Sequence, residues 1–486
     1  MNALLDSRIW NEKIFDGEWR ASNSTLSVRE PATGEILGVV GETPASSVAA
    51  VVERAQRAQA QWALKTAEER AALMRCAARV FEDSKAQLLD AIQRETGGVR
   101  GKAEVELGGS IDECYHSAAI LIQPEGQILP SSNPERLSLA RRVPLGVVGV
   151  ITPWNFPLLL AMRSVAPAIA LGNAVVLKPD PQTPIVGGVA IARVFEEAGL
   201  PPGIFNVVNG GAAVGEALIE APAVRMVTFT GSTAVGRRVG ELAGKHIKRV
   251  ALELGGKSPF IVLDDADLNA AAAAGAWGSF LHQGQICMAS GRHIVHRKVA
   301  DAYAEILAKK ARALPVGDPF REQVAIGPLI NERQLARVDK IVKDTVSSGA
   351  QLLAGGTHKG PFYYPTVLHR VRPSMPAYDL EIFGPVAPIV VAEDDEDAVR
   401  LANDTEYGLS AAVQTGSLER GLRIARKIRS GMVHINDQTI HDSAGIPFGG
   451  RGVSGNGSRF GSLHNWEEFT EYQWMTIGGK PTPYPF

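Results

Sequence analysis

Two hydrophobic rhythms divide the chain. Before residue 122 the apolar positions recur at helical spacing: Val48, Val51, Val52, Ala55, Ala58 and Trp62 form one stripe, with Ser46 or Ser47 placed to cap it. Thr66 and Glu69 make a capping-box pattern ahead of a second stripe through Leu73, Cys76, Ala77 and Val80. From Val147 the rhythm shortens. β-Branched runs at 147–151, 174–178, 204–208, 225–230 and 249–254 alternate with helical stretches at 157–171, 183–198, 212–220 and 232–243. Such alternation predicts βαβ units with right-handed crossovers and a parallel sheet, whose ligand site lies at the carboxyl ends of the strands.

A second α/β series follows, with strands at 292–296, 386–392, 411–415 and 431–436 and helices at 299–313, 394–403 and 418–429. The segments 123–144 and 466–486 fit neither series. Both carry strand-like pieces that a monomer would leave as exposed edges, which predicts a homodimer or homotetramer in which another subunit covers them. The expected division is therefore 1–122 with 145–254, then 255–465, with 123–144 and 466–486 as an arm.

Composition narrows the class. A chain of 486 residues exceeds one ordinary core, and 45% hydrophobic with 21% charged residues describes a globular protein. A formal net charge of -2 provides no basic field for nucleic acid. No apolar run is long enough to cross a bilayer, and the first twenty residues show no signal-peptide pattern. Three scattered cysteines (Cys76, Cys114, Cys287) do not make a disulfide framework, so a reducing, cytoplasmic setting is expected.

Cys76 and Cys114 sit in helical contexts and read as core residues. Cys287 differs, standing in "HQGQICMASGR" among small and polar residues. Three strand ends carry groups that would complete a reactive thiol. After 147–151 comes Asn155 in "TPWNFP", an amide that either caps the next helix or donates to an oxyanion. After 225–230, Gly231 and Ser232 precede a helix whose first backbone donors suit a pyrophosphate. The strand 249–254 ends at Glu253, beside Gly255 and Gly256, where a carboxylate either pairs with a basic residue or serves as general base. Lys178, at a further strand end, is either a solvated lysine or a ribose ligand. A literal G-x-G-x-x-G at Gly450, Gly452 and Gly455 lacks the strand-to-helix context and reads as a flexible loop or substrate-side lid. His293 and His296, three apart on a strand, face opposite sides and predict no metal site. Together Cys287, Asn155, Glu253 and a dinucleotide-type sheet predict thiol attack on an aldehyde, hydride loss to nicotinamide, and base-assisted hydrolysis of the thioester.

The motifs "PWNFP", "LKP", "FTGSTAVG", "LELGGK", "GQICMASGR", "EIFGP" and "PFGG" occur in an order that resembles the aldehyde dehydrogenase superfamily over nearly the whole chain. The resemblance implies Cys287 as nucleophile, Glu253 as base and Asn155 as oxyanion donor. It implies cofactor contacts from Trp154, Lys178, Gly211, Gly215, Phe229, Gly231, Ser232, Val235, Gly255, Gln334, Glu381 and Phe383. Lys178 and Glu381 would bind the riboses, Ser232 the pyrophosphate, and Phe383 would pack near the nicotinamide. The implied fold is α/β: a Rossmann-like doubly wound cofactor domain, a second α/β catalytic domain and a β oligomerisation arm. The segments "VPLGVVGVI", "FLHQGQICM", "GMVHINDQT" and the ending "YPF" are most similar to the benzaldehyde and vanillin dehydrogenase branch. That likeness implies a substrate pocket of Phe156, Leu159, Leu160, Arg163, Leu281, Ile286, Met288 and Phe448.

Two positions depart from the family pattern. Arg163 stands where many relatives carry an aromatic residue, and it either pairs outside the pocket or favours an oxygenated ring. Pro181 stands where strict NAD users carry a carboxylate, so NAD is expected as principal cofactor with NADP also usable. Aliphatic or semialdehyde oxidation, transfer to coenzyme A, and a non-catalytic structural role are the competing readings. The presence of Glu253 favours hydrolysis, and the complete reactive set disfavours a structural role.

Overall fold

The computed structural model describes residues 3–481 and 484–485. Met1, Asn2, Thr482, Pro483 and Phe486, which close the predicted segments 1–122 and 466–486, lie outside the described residues.

The first of two seven-stranded sheets contains the five predicted parallel strands, Val147–Ile151, Ala174–Lys178, Phe205–Val207, Val224–Thr230 and Arg249–Glu253. Val147–Ile151 lies between Ala174–Lys178, with which its register is unbroken, and Val224–Thr230, with which the register shifts between Val224 and Met226. Strand order therefore reverses beside it, and the reversal opens a crevice between the end leading to Asn155 and the end leading to Ser232. The strands Lys13–Phe15 and Trp19–Ala21 extend this sheet through an antiparallel contact of Phe15 with Val207. At three residues each they are too short to show an alternation.

The second sheet runs Gln351–Ala354, Thr366–His369, Val386–Ala392, Ser290–His296, Ser258–Val262, Ser410–Gln414 and Met432–Ile435. Ser258–Val262 is fully buried between two parallel neighbours yet escapes the sequence reading, because Pro259 argues against a central strand. The register shifts between Ser258 and Pro259, and this irregularity accommodates the missing N–H.

Three local expectations change. The helix Ala67–Asp83 has the predicted capping box, with Glu69 N–H donating to Thr66 Oγ1 (3.2 Å) and Thr66 N–H to the Glu69 carboxylate (2.8 Å). Its buried face, however, runs through Ala71, Met74, Ala77, Ala78 and Phe81, while Leu73, Cys76 and Val80 lie at the margin. Small alanines mask the true stripe by one residue of phase. Ser47 makes no side-chain cap, because the 3-10 turn Ala45–Ser47 already carries helical backbone into Val48–Trp62.

The glycine-rich segment near 450 is not a lid. Ser454 accepts from Leu254 N–H (2.9 Å), Asn456 Oδ1 accepts from Leu252 N–H (3.0 Å), and Asn456 Nδ2 donates to the Val250 carbonyl (2.7 Å). The segment covers the edge strand of the first sheet and satisfies donors and acceptors that would otherwise be open.

The segments outside both series meet in a third sheet, where Arg136–Pro144 pairs antiparallel with Gly126–Leu129 on one side and Thr470–Gly478 on the other. They pair with each other within the chain, and the two outer strands keep free edges. His293 is buried between Ser279 Oγ (2.7 Å) and Tyr303 Oη (2.8 Å). Among the described residues no three His, Cys, Asp or Glu side chains form a metal-holding group.

Candidate active site

The position of Cys287, the predicted nucleophile, is set by an unusual backbone. His282, Gln283 and Gly284 all have positive φ (48°, 58° and 66°), a left-handed turn that costs energy for the two non-glycine residues. Buried hydrogen bonds hold it. Gln283 Nε2 donates to the carbonyls of Gly97 (2.7 Å) and Pro328 (3.1 Å), Gln285 Oε1 accepts from Ile330 N–H (3.0 Å), and Asn155 Nδ2 donates to the Gln285 carbonyl (2.9 Å). The His282 ring stands edge-on to Phe156 at 5.3 Å, and Lys102 Nζ lies 4.6 Å from the same Phe156 ring. Burial and the nearby Lys102 ammonium push the His282 imidazole well below its ordinary value, so the ring is neutral.

The strand ending at Glu253 approaches this turn because its glycines lack side chains. A Cβ at Gly256 would lie 2.2 Å from the Cys287 carbonyl oxygen, and one at Gly255 would lie 2.5 Å from Glu381 Oε2. Gly256 N–H donates to Glu381 Oε1 at 2.9 Å. Two glycines thus bring the predicted base, the predicted nucleophile and Glu381 into one neighbourhood.

Two cavities converge on Cys287. The first, of about 260 Å³, is lined by Trp154, Asn155, Leu160, Gly231, Ser232, Glu253, Gly255, Gln334, Glu381 and Phe383, with Pro153, Thr230, Leu254 and Arg337. The second, of about 500 Å³, takes in every predicted pocket residue: Phe156, Leu159, Leu160, Arg163, Leu281, Ile286, Met288 and Phe448. Asn155, Leu160 and Cys287 belong to both walls.

Five predicted cofactor residues do not line the first cavity. Phe229 is buried and its ring packs over Gly231, where a Cβ would meet it at 2.5 Å. Phe229 thus backs Gly231, which itself lines the cavity. Lys178, Gly211, Gly215 and Val235 lie further out. Gly211 and Gly215 belong to the start of the helix Ala212–Glu220, and Val235 is exposed in the first turn of Thr233–Lys245. Gly215 neighbours Lys178, whose buried ammonium has one hydrogen bond, to the Pro179 carbonyl at 3.1 Å.

Electrostatics separates the reactive groups. Burial, followed by the Glu381 and Glu253 carboxylates, pushes the Cys287 thiol up to about 12. Burial also raises Glu253 well above the ordinary carboxylate range, with Arg163 and Arg459 pulling it back. Both Glu253 oxygens lack a hydrogen-bond partner, an arrangement suited to a base that awaits a water or a thiol proton. Asn155 retains one amide hydrogen beyond its bond to Gln285, and Asn155 Oδ1 is unpartnered.

Arg163 pairs within the pocket rather than outside it, because both of its carboxylate partners line the second cavity. Its guanidinium bonds Asp442, lies 3.8 Å from Glu113 Oε1 and stacks 4.1 Å from the Phe448 ring. Burial raises Glu113 to about 8 despite Arg163. Glu113, Asp442, Gln438 and Trp277 on the substrate side, and Arg337 on the other, are site residues missed by the sequence reading. Arg337 Nη1 and Gln334 Nε2 hold the carbonyls of Ile382 (2.7 Å) and Phe383 (2.6 Å), fixing Phe383 at a φ of 58° edge-on to Trp154 (5.4 Å, 89°).

The residues fit a dinucleotide. An exposed Ser232 begins a helix at the sheet's reversal point, an under-bonded Lys178 stands at a neighbouring strand end, and Glu381 with Phe383 closes the crevice opposite Cys287.

The chain belongs to the aldehyde dehydrogenase family, whose sequence pattern it matches over residues 19–475. It is 52% identical over its full length to a vanillin dehydrogenase of an Amycolatopsis species, and 49% identical to the NAD(+) benzaldehyde dehydrogenase of Pseudomonas putida; each comparison covers 100% of both chains. Its fold superposes with a TM-score of 0.94 on a salicylaldehyde dehydrogenase of Pseudomonas putida G7 complexed with salicylaldehyde, at 34% identity over 98% of this chain and 99% of that one.

Proposed function

We propose that this protein oxidises aromatic aldehydes to carboxylic acids with NAD, and that Cys287, Asn155 and Glu253 carry the reaction. The observation that carries the reading is the shared wall, which exposes one sulfur to a cofactor crevice and to a largely apolar substrate cavity at once. Glu253 takes the proton of the Cys287 thiol and yields it to solvent; the sulfur attacks the aldehyde carbon, and the carbonyl oxygen becomes an oxyanion held by Asn155 Nδ2 and the Cys287 backbone N–H. NAD, when bound, supplies the acceptor for the hydride lost from that carbon. Glu253 then takes a proton from water, whose oxygen attacks the thioester; the carbon–sulfur bond breaks and the acid leaves.

Lys178 and Glu381 are assigned to the riboses, Ser232 to the pyrophosphate and Phe383 to the nicotinamide side. NADP is also accepted on this reading. Asp180 Oδ1 is occupied by Gln182 N–H (2.9 Å) and Gln182 Nε2 (3.2 Å), and Pro181 presents no carboxylate against a 2′-phosphate. Complete inactivity with NADP overturns that part.

The proposed division is a cofactor domain (1–122 with 145–254), a catalytic domain (255–465) and an arm (123–144 with 466–486). Exposed Ile128, Leu137, Tyr472, Trp474 and Ile477 on the arm support a homo-oligomer that buries them. Three free cysteines, and the absence among the described residues of a helix long and apolar enough to cross a membrane, support a cytoplasmic enzyme.

The test is turnover of benzaldehyde, vanillin and hexanal with NAD and without coenzyme A. Free acid from the ring aldehydes, abolished in Cys287→Ala, is expected. A dominant preference for hexanal, or strict dependence on coenzyme A, refutes the assignment.

A further inference from the structure

The substrate cavity contains one Lys or Arg side chain, Arg163, and it is engaged twice. Asp442 bonds its guanidinium, Glu113 stands 3.8 Å away, and the guanidinium plane is spent on Phe448. The remaining polar wall is rich in acceptors. Asp112 is exposed there and Asp442 Oδ1 has no hydrogen-bond partner, while Gln438, whose oxygen accepts from Ile440 N–H, lines the wall with Ser443, Asn155 and Trp277. His441 is occupied by Asp437 at 2.8 Å. The walls near Cys287 are apolar, from Phe156, Leu159, Leu281, Ile286, Met288 and Phe448.

Binding an anionic substrate requires a cation whose charge is free. Here Asp442 neutralises the cation before any ligand arrives, and the exposed Asp112 adds a further negative charge. A substrate carboxylate in this cavity would face the charges of Asp112 and Asp442 with no free Lys or Arg to meet it. A phenolic hydroxyl is a donor and meets surplus acceptors. We infer that the cavity selects uncharged ring aldehydes, favours those bearing a hydroxyl donor, and rejects aldehydes carrying a carboxylate, with the Arg163–Asp442–Glu113 cluster as the determinant. The inference rests on the aromatic reading and separates this chain from oxidation of carboxylated semialdehydes.

The protein is assayed with NAD and four para-substituted aldehydes: benzaldehyde, 4-hydroxybenzaldehyde, 4-formylbenzoate and its methyl ester. The expected kcat/KM for 4-formylbenzoate is about 100-fold below that for benzaldehyde, as one uncompensated charge repulsion at close range predicts. The methyl ester recovers to within about tenfold of benzaldehyde, and 4-hydroxybenzaldehyde equals or exceeds it. In Asp442→Asn, which frees the guanidinium, the ratio of 4-formylbenzoate to benzaldehyde efficiency rises about tenfold. A parental enzyme that oxidises 4-formylbenzoate within threefold of benzaldehyde overturns the inference but leaves the aromatic reading intact. So does a methyl ester as poor as the acid, because shape would then explain the exclusion. Failure to oxidise any of the four, with hexanal turned over, removes the aromatic reading and this inference together.

Discussion

The two cavities that meet at Cys287 are built from different parts of the chain. On the cofactor side, Asn155, Ser232 and Glu253 follow or end adjacent parallel strands, so the sheet fixes their spacing. On the substrate side the wall comes from the helix Arg100–Ile120, the helix Pro157–Ala170, the turn before Cys287 and the loop 438–448. The first side is generic and rigid. The second places each residue through packing between helices and loops, where single substitutions change shape and charge without disturbing the strands.

The contrast is tested most strongly at the shared wall. Asn155→Ala removes the proposed oxyanion donor, which lines both sides, and kcat/KM is expected to fall by about 10²–10³ with every aldehyde. A loss confined to one aldehyde would place Asn155 in substrate selection instead. A paired experiment follows at smaller scale. Glu381→Gln is expected to raise the KM for NAD about tenfold, through a weakened charged hydrogen bond, and to leave the aldehyde KM near its starting value. Phe448→Ala is expected to do the reverse, raising the benzaldehyde KM about tenfold. If both variants move both constants equally, the cavities do not act as separate compartments.

The smallest effect concerns Glu113 and stability. Burial holds its proton in the folded protein to about pH 8, while the unfolded chain releases it near the ordinary value of 4.5. Between those limits the folded state binds the extra proton, so stability falls as pH rises. Glu113→Gln removes this slope, and the drop in Tm from pH 5 to pH 8 is expected to shrink by about 2–4 °C. Glu95, also raised to about 8 by burial, keeps part of the slope in the variant. An unchanged slope would show that Glu113 is ionised in the folded protein.

The same contrast explains what was legible in the sequence. The parallel strands are local β-branched runs, and their ends expose Asn155, Ser232 and Glu253 to a reader who knows where such sheets bind ligands. Cys287 stood out by its polar setting. Glu113 and Asp442 did not, because one lies on a long helix and the other in a loop, and only tertiary packing brings them to Arg163. Phe229 shares a motif with Ser232, but strand alternation buries its ring beneath Gly231, a placement that the motif alone does not show. The glycines at 450, 452 and 455 read as mobile because their partner, the edge strand at 249–253, is some two hundred residues away.

The shared wall also has a kinetic consequence. On the proposed assignment, a sulfur served by two separate doorways does not make its visitors queue: the acid can depart by one opening while the reduced dinucleotide still occupies the other. Traffic through the enzyme is then limited by whichever doorway clears more slowly, and a molecule long enough to occupy both would close them together.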